Sequence, residues 1–199
     1  MPLATKGYTE NTAKNYLIDS ATVFKNVTYT TVGGFTGTLI GATRGGASAN
    51  IEQNYRHPEV DGTSHVQGKV KGNVILESAT ASITINLKEI TAEALRGSLN
   101  TTMVDVLPTE APTGYKKITT KRFVEAADHL TNLAIVGTIS GSTSPVIIII
   151  DNPLCTSGVE IATEDNGETV VELVYEAHAT AAQVIANEFP WRILFPAVV

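Results

Sequence analysis

Besides its carboxylates, the sequence has four histidines and a single cysteine that could bind a metal or serve catalysis: His57, His65, His129, His178 and Cys155. No pair of histidines has the HExxH spacing that puts two imidazoles on one helix face, and a lone cysteine cannot build a thiolate cluster. His57 and His65 flank an Asp-Gly turn and could approach each other, but two solvated surface histidines are the commoner outcome. We therefore expect no metal and no cofactor.

Catalytic motifs are equally scarce. The sequence contains no GxSxG elbow, no GK[ST] loop and no GxGxxG fingerprint, although a Gly-rich TRGGAS segment is present. A Ser–His–Asp triad assembles in space, so the sequence neither supports nor excludes one. Glu160 and Glu172 could mimic a glycosidase pair, but no aromatic residues accompany them to bind sugar. Cys155 has no basic neighbour in sequence to lower the pKa of its thiol. We expect no catalytic residue.

Glutamates recur at every fourth position between residues 158 and 176, where the sequence predicts a β-hairpin. A two-residue Asn166-Gly167 turn would mix charged and apolar residues on each face of this hairpin. A three-residue loop over 165–167, with Gly167 left-handed, separates them cleanly, and a slip of one residue would turn over every side chain. The second register is therefore favoured. It puts four acidic side chains on one face, a set we call the glutamate column: Glu160, Glu164, Glu168 and Glu172.

Like charges directly opposite each other cost stability, so the glutamate column needs an explanation. One interpretation is an ordinary solvated face, where water screens the charges. The other is a surface selected to be negative. The hairpin alone leaves both open.

The charge distribution along the chain is uneven. Residues 1–122 carry 13 basic and 10 acidic side chains, whereas the rest carries 1 basic and 10 acidic ones. A negative field repels phosphates, so this argues against tight nucleic-acid binding by the C-terminal part. The 199 residues can bury a core of their own, and the N-terminus lacks a signal peptide pattern, which fits a cytoplasmic product.

Residues 133–150 are uncharged, long enough to raise the question of a membrane span. Gly137, Gly141 and Pro145 interrupt the run, which is typical of two strands joined by a turn. We expect no membrane segment.

Alternating polar and apolar residues over 47–87 predict two very long strands. A strand over 44–61 would extend roughly 55–60 Å at about 3.3 Å per residue, but a domain of this length is only about 40 Å across. Part of this hairpin should protrude, and its edge should pair with another subunit. The candidate contact residues lie along the hairpin: Ile51, Tyr55, Arg56, Val60, Val66 and Val70.

The remaining patterns predict a single domain over 1–199, mainly β. It has an N-terminal arm over 1–15, the long hairpin arm over 44–74 and a loop over 101–114. One short helix over about 91–100 has Thr91 as its N-cap. One helix among roughly nine strands indicates a β-sandwich or barrel with protruding β-hairpins.

The order of elements, with the phrases EQNYRHPEVDG, ATASITINLKEITAEALRGSL, ITTKRFVEAADHLTNLAIVG and PVIIIIDNPL, resembles the major tail (tail tube) proteins of long-tailed bacteriophages and prophages. The resemblance covers most of the chain. It implies the phage tail tube fold, which type VI secretion tubes share, and assembly of six subunits into rings that stack as a tube. The long hairpin and the 158–176 hairpin would form the inner wall.

The same resemblance implies a location and partners. The protein would be made in the bacterial cytoplasm and would reside in the phage tail. It would contact the tape measure, terminator and distal tail proteins, while DNA passes through the lumen without specific binding. The glutamate column would then face DNA that must slide without sticking.

Two other function classes are open at this point. A β-sandwich adhesin or carbohydrate-binding module would show exposed aromatic residues on one sheet face. A hydrolase would gather two of Glu160, Glu172, His129 and His178 in a deep pocket.

Overall fold

The computed structural model describes residues 7–58, 71–163, 165 and 167–197, and these form a β-sandwich with short helices. The expected mainly β architecture is confirmed. In chain order the strands and helices are β1 Leu17–Thr30, β2 Gly34–Leu39, β3 Thr43–Arg56, β4 Ile75–Leu87, α1 Ala92–Ser98, β5 Thr101–Asp105, β6 Lys116–Thr120, β7 Asn132–Ile139, β8 Val146–Asp151, β9 Leu154–Cys155, β10 Val171–Glu176, α2 Ala181–Ala186 and β11 Trp191–Leu194.

Two sheets form the layers of the sandwich. The five-stranded sheet has the order β11-β8-β7-β1-β2, and the four-stranded sheet has the order β3-β4-β10-β9. The strand pairs within both sheets are antiparallel. A small separate sheet pairs β5 with β6.

The core lies between the two sheets because both contribute alternating apolar side chains to it. From the five-stranded sheet come Val23, Leu133, Ile135 and Ile150; from the other come Ala81, Ile83, Ile85, Leu87, Val171, Leu173 and Tyr175. Ile83 and Ile85 are fully buried. Burial of such aliphatic side chains stabilises the fold by about 1.5–3 kcal/mol each.

The five-stranded sheet is apolar on its second face as well. A separate cluster there contains Val27, Ala134, Ile147 and Ile149, with Phe24 and Val136 packed against it. The run of isoleucines in β8 supplies both faces, as is typical of a strand buried on both sides.

The helix caps follow ordinary rules. Thr91 caps α1 by accepting a hydrogen bond from the Ala94 N–H at 3.1 Å, as predicted. α2 was not predicted, although Thr180 and Gln183 form a reciprocal capping box at its start. Among the described residues, no helix is both long and apolar enough to cross a bilayer.

Two predicted segments differ in the structure. Thr101–Asp105 was expected inside a loop over 101–114 but is strand β5, because it pairs with Lys116–Thr120 across the two prolines of the intervening segment. The prediction of a hairpin over 158–176 is wrong for its first limb, since residues 158–163 form no strand. β10 pairs instead with β4 along its whole length.

Candidate functional site

The long hairpin forms one half of the four-stranded sheet. β3 and β4 stay paired from Thr43 opposite Leu87 to Arg56 opposite Ile75, with register shifts near each end. The returning limb begins at Ile75 rather than near Val66, because residues 71–74 contain a turn and no strand. Val60, Val66 and Val70 lie outside the described residues.

β4 joins this hairpin to β10. Its other edge pairs with β10 from Val171 opposite Leu87 to Glu176 opposite Ser82. The two segments that sequence analysis assigns to one wall, the long hairpin and the second limb of the 158–176 segment, therefore lie side by side in one sheet.

The face of this sheet that points away from the core is covered by small polar side chains. Register alternation places hydroxyl, amide and carboxylate groups there, a set we call the polar face: Ser48, Asn50, Glu52, Asn54, Ser78, Thr80, Ser82, Thr84, Asn86, Glu172 and Glu176. Val174 lies on the same side of the sheet and is apolar. Asn54 Nδ2 donates to Ser78 Oγ at 3.2 Å, and Asn50 Nδ2 donates to Glu52 Oε1 at 2.9 Å, so neighbours on this face interact.

The charges of the polar face are all negative. Glu52, Glu172 and Glu176 are exposed carboxylates, and the face as defined contains no lysine or arginine. Arg56 lies beyond it at one end, and Arg44 and Lys88 lie at the other end, where both act on the Glu168 carboxylate. Glu52 and Glu176 border a common hollow of about 330 Å³ together with Thr80 and Ser82. The face can repel phosphate while offering only weak neutral hydrogen-bonding groups.

The glutamate column is distributed differently from its prediction. Glu172 is on the polar face, whereas Glu160 is exposed in the segment without a strand and Glu164 lies outside the described residues. Glu168 forms an ion pair with Lys88, whose ammonium lowers the pKa of the Glu168 carboxyl. The Thr169 hydroxyl donates to the Ala162 carbonyl at 2.8 Å, so the two limbs still approach each other.

Glu52, Glu176 and the hydroxyl groups of β4 are not among the site residues predicted from the sequence. A signal for them exists in ATASITINL, where serine, threonine and asparagine alternate with apolar residues. Solvated strand faces usually carry lysine and glutamate as well as hydroxyls, so a face without lysine is distinctive. What the sequence could not supply is the pairing that brings β3, β4 and β10 together.

The three described hairpin contact residues occupy different environments. Ile51 packs partly against the core of its own chain. Tyr55 is about half exposed, and its hydroxyl donates to Gln53 Oε1 at 2.7 Å. Arg56 is exposed at the end of the strand. Tyr55 and Arg56 are therefore the described members that a neighbour could reach.

Two histidines meet, but in a structural role. The rings of His129 and His178 are 4.9 Å apart, edge to face. His129 Nδ1 lies 2.9 Å from the Asn152 carbonyl, and His178 Nδ1 lies 3.0 Å from the Glu176 carbonyl. Because a carbonyl only accepts, each Nδ1 carries the proton and donates it. The described residues contain no group of three or more candidate metal ligands.

The single thiol is also inert. Cys155 lies at the edge of the core, and burial raises the pKa of its thiol, which keeps it protonated at neutral pH.

The fold and this face place the chain among β-sandwich proteins. No protein-family model matches the sequence, and no curated protein matches it. Among solved structures, it is similar to a chain in the cryo-EM structure of the anti-feeding prophage (AFP) baseplate, 6-fold symmetrised. The identity is 11% and the TM-score 0.41, over 89% of this chain and 94% of that chain. A likeness at this level carries no argument about function, so the geometry of the polar face must do so.

Proposed function

We propose that this chain is a structural, non-enzymatic subunit of a phage tail tube. Six copies form a ring, rings stack into a tube, and DNA passes through the lumen. The observation that carries the proposal is the four-stranded sheet, which joins a long hairpin with an exposed edge to a face that is polar, acidic and free of basic residues.

The edges of this sheet support assembly. β3 is the outermost strand over its full 14 residues. Its positions from Ala47 to Glu52 alternate between half-buried and exposed, and those from Gln53 to Arg56 are all exposed. On the other side, β9 pairs with β10 at Tyr175 and Glu176, and Thr156 and Ser157 hydrogen-bond to the backbone of Val174, so the β10 edge is uncovered only over Val171–Leu173. Edge strands present unpaired backbone groups that readily accept another strand. In the proposed ring, β3 of one copy extends toward the β10 side of the next.

The dimensions of such a wall suit a conduit. Six copies of a four-stranded sheet give about 24 strands, and a spacing of about 4.8 Å gives a circumference of about 115 Å before strand tilt. The corresponding diameter, about 37 Å, leaves room for a DNA duplex. Since the core occupies one face of the sheet, closure of the sheet into a barrel turns the polar face toward the lumen.

The residues keep separate roles in this proposal. Glu52, Glu172 and Glu176 line the lumen, and Glu160 and Glu164 keep the lumen-facing role expected from the sequence, whereas Lys88 balances the charge of Glu168. Ile51, Tyr55, Arg56, Val60, Val66 and Val70 belong to the hairpin that meets neighbouring subunits. At physiological salt the Debye length is about 8 Å, so a negative wall several ångströms from DNA still repels it.

A sugar-binding module is the second candidate, because Tyr29 and Phe35 are exposed aromatics in contact, with ring centroids 4.8 Å apart. Their planes are tilted by 47°, so they do not make the flat platform on which a sugar ring stacks. The aromatic pair fits a protein contact better.

Electron microscopy of the concentrated protein tests the proposal. We expect rings or tubes of uniform width with a central bore. Particles that stay monomeric at high concentration, under conditions where the protein is folded by circular dichroism, would contradict the proposed function.

A further inference from the structure

A cleft opens between the two sheets at the β3 edge of the sandwich. Its lining comes from β3 of the four-stranded sheet and from β1, β7 and β8 of the five-stranded sheet. We call it the β3 cleft; it has a volume of about 530 Å³, and its main lining residues are Leu17, Asp19, Ala47, Ala49, Ile135 and Ile148. A mostly apolar cleft of this size with few polar groups is typical of a binding site.

Two irregular strand segments border the β3 cleft. The register of β1 against β7 shifts between Ile18 and Thr22, and Asp19, at a φ of 65°, lies within that shift. On β3, the first register shift contains Gly46, where an added Cβ would meet no atom within 4 Å. Bulges of this kind often re-aim side chains at functional surfaces. The cleft therefore has room for a side chain from outside the chain.

Asp19 carries the charge of the β3 cleft. It is the one charged residue of the lining, and no ion pair within the described part of the chain includes it. Arg44, the nearest basic residue in the β3 sequence, acts on the Glu168 carboxylate. A complementary occupant therefore combines an apolar or aromatic group with a positive charge.

The segment that follows β6 offers this combination. Phe123 is 71% exposed, and the guanidinium carbon of Arg122 lies 5.3 Å from the centroid of its ring. The acidic residues of the same segment, Glu125 and Asp128, both pair with Lys121, so they leave the charge of Arg122 available. We call Arg122 and Phe123 the Arg-Phe projection. Arginine and aromatic side chains are the types enriched at protein interfaces.

The β3 cleft and the Arg-Phe projection lie on opposite sides of the four-stranded sheet. β3 forms one edge of that sheet and β9 forms the other. Helix α1 contacts both β9 and β6, so the small sheet and the projection that follows it lie on the β9 side. In the proposed ring the β3 edge of one copy extends toward the β10 side of the next. That arrangement brings the cleft of one copy to the projection of its neighbour.

We propose that the Arg-Phe projection of one copy enters the β3 cleft of the neighbouring copy. The Phe123 ring lies between the two sheets, and the Arg122 guanidinium meets the Asp19 carboxylate. The two surfaces differ, so the contact is head-to-tail and closes into a ring when the rotation between copies permits. This inference rests on the proposed function, for which it names the side chains that join neighbours within a ring.

Three single variants weaken the contact in different ways. Asp19→Lys and Arg122→Glu each bring like charges together, and Phe123→Ala removes the ring. We expect each to raise the concentration needed for half-assembly by at least about tenfold, measured by analytical ultracentrifugation. All three residues are exposed, so the melting temperatures should stay near that of the wild type. The control, Glu188→Lys, reverses an exposed charge that follows α2 and should assemble like the wild type.

A mixture of the two charge variants provides the decisive measurement. The projection of the Asp19→Lys protein still suits the unchanged cleft of the Arg122→Glu protein, and the two new charges attract each other. Each protein therefore accepts the other and repels its own kind, so a closed ring must alternate, which six copies allow. We expect rings containing both proteins in equal amounts at a concentration where neither assembles alone.

The remaining outcomes have distinct meanings. A mixture that fails to assemble would overturn the proposed contact, as would loss of assembly in the control. If the wild type forms rings and the single variants form them at the same concentration, the cleft and projection are not the contact, but the tube function stands. A wild type that never assembles overturns both.

Discussion

Asn132 is a buried side chain whose amide replaces two strand hydrogen bonds. The register of β1 shifts between Lys25 and Thr28, which leaves the backbone of Val27 without its strand partner. Asn132 Oδ1 accepts from the Val27 N–H at 2.6 Å, and its Nδ2 donates to the Val27 carbonyl at 2.9 Å. The side chain is 6% exposed, so water cannot take over these bonds.

Replacing this amide should therefore be costly. We expect Asn132→Leu to lower the free energy of unfolding by about 2–4 kcal/mol, because it leaves a buried donor and a buried acceptor unpaired. Urea unfolding with an unchanged m value would measure the loss. As a control, Asn26→Gly removes a side chain at a positive φ of 55° in the same bulge and should be neutral or slightly stabilising. Equal losses in both variants would contradict the assigned role.

A carboxylate at the end of the β6–β7 connection makes stability depend on acid. The Lys121 ammonium lowers the pKa of the Asp128 carboxyl, and the Glu125 N–H, bonded to Asp128 Oδ2 at 2.7 Å, lowers it further. A depressed carboxyl pKa contributes stability above the unfolded pKa of about 3.9, and this is lost as pH falls through the folded value.

Asp128→Asn isolates that contribution, since asparagine can still accept from the Glu125 N–H. We expect the variant to be slightly less stable than the wild type at pH 7, with the difference shrinking below about pH 4. Thermal melts from pH 7 to pH 3 measure it. Asp105→Asn, which breaks an exposed pair with Lys116, should have less effect at every pH. A stability difference between the two proteins that grows as the pH falls would contradict this role of Asp128.

At the scale of elements, alternation predicted the strands best where one face is buried. β3, β4, β7 and β8 were predicted from runs of alternating or continuous apolar residues, and each is a strand in the structure. β5 escaped prediction because Thr101, Met103 and Val104 give no clear alternation and prolines follow. α2 escaped because its apolar residues are exposed, so no core-facing stripe marks it.

The prediction of a hairpin over 158–176 failed for a different reason. Its register was inferred from side-chain segregation, which requires one apolar face to be buried. Val171 and Leu173 are buried, but Ile161 is 53% exposed, so the first limb has no core to join. Partners distant in sequence decided the outcome, since β4 takes the place of the predicted limb. For the same reason the sequence could not assemble the polar face, although the alternation in ATASITINL marks its β4 part.

The strand β4 allows a matched comparison of buried and exposed positions. Ile83 is fully buried between the sheets, whereas Ile75 on the same strand is 47% exposed. We expect Ile83→Ala to destabilise the fold by about 2–5 kcal/mol through lost burial and a cavity. Ile75→Ala should cost much less. Denaturant unfolding of both proteins measures the difference, and similar losses would contradict the sandwich core as described.

At the scale of the whole molecule, the sign of the charge on the polar face determines whether a tube retains DNA. Replacing Glu52, Glu172 and Glu176 by lysine should create phosphate contacts in every ring, each releasing counterions. We expect tubes of this variant to retain duplex DNA in a nuclease-protected form, with retention falling steeply between about 50 and 200 mM salt. Sedimentation of tubes with labelled DNA provides the measurement.

The matched control replaces the same three residues by glutamine. That change removes charge without adding attraction, so its tubes should assemble and retain little DNA. If the lysine tubes retained no more DNA than the glutamine tubes, the polar face would not line the bore.

The two register shifts in the β3–β4 pair affect how assembly of the tube begins. The first lies between Thr43 and Ala47 and contains Gly45 and Gly46, at φ of 83° and 82°. The second lies between Asn54 and Tyr55, and its extra residue, Glu77, is on β4. A regular edge is thus offered only from Ala47 to Asn54, and a strand that arrives out of line meets a bend at either end. Two free copies rarely meet in the right alignment, whereas copies that stack on a finished ring are held side by side while their edges pair. Assembly should therefore show a lag that disappears when preformed rings are added as seeds.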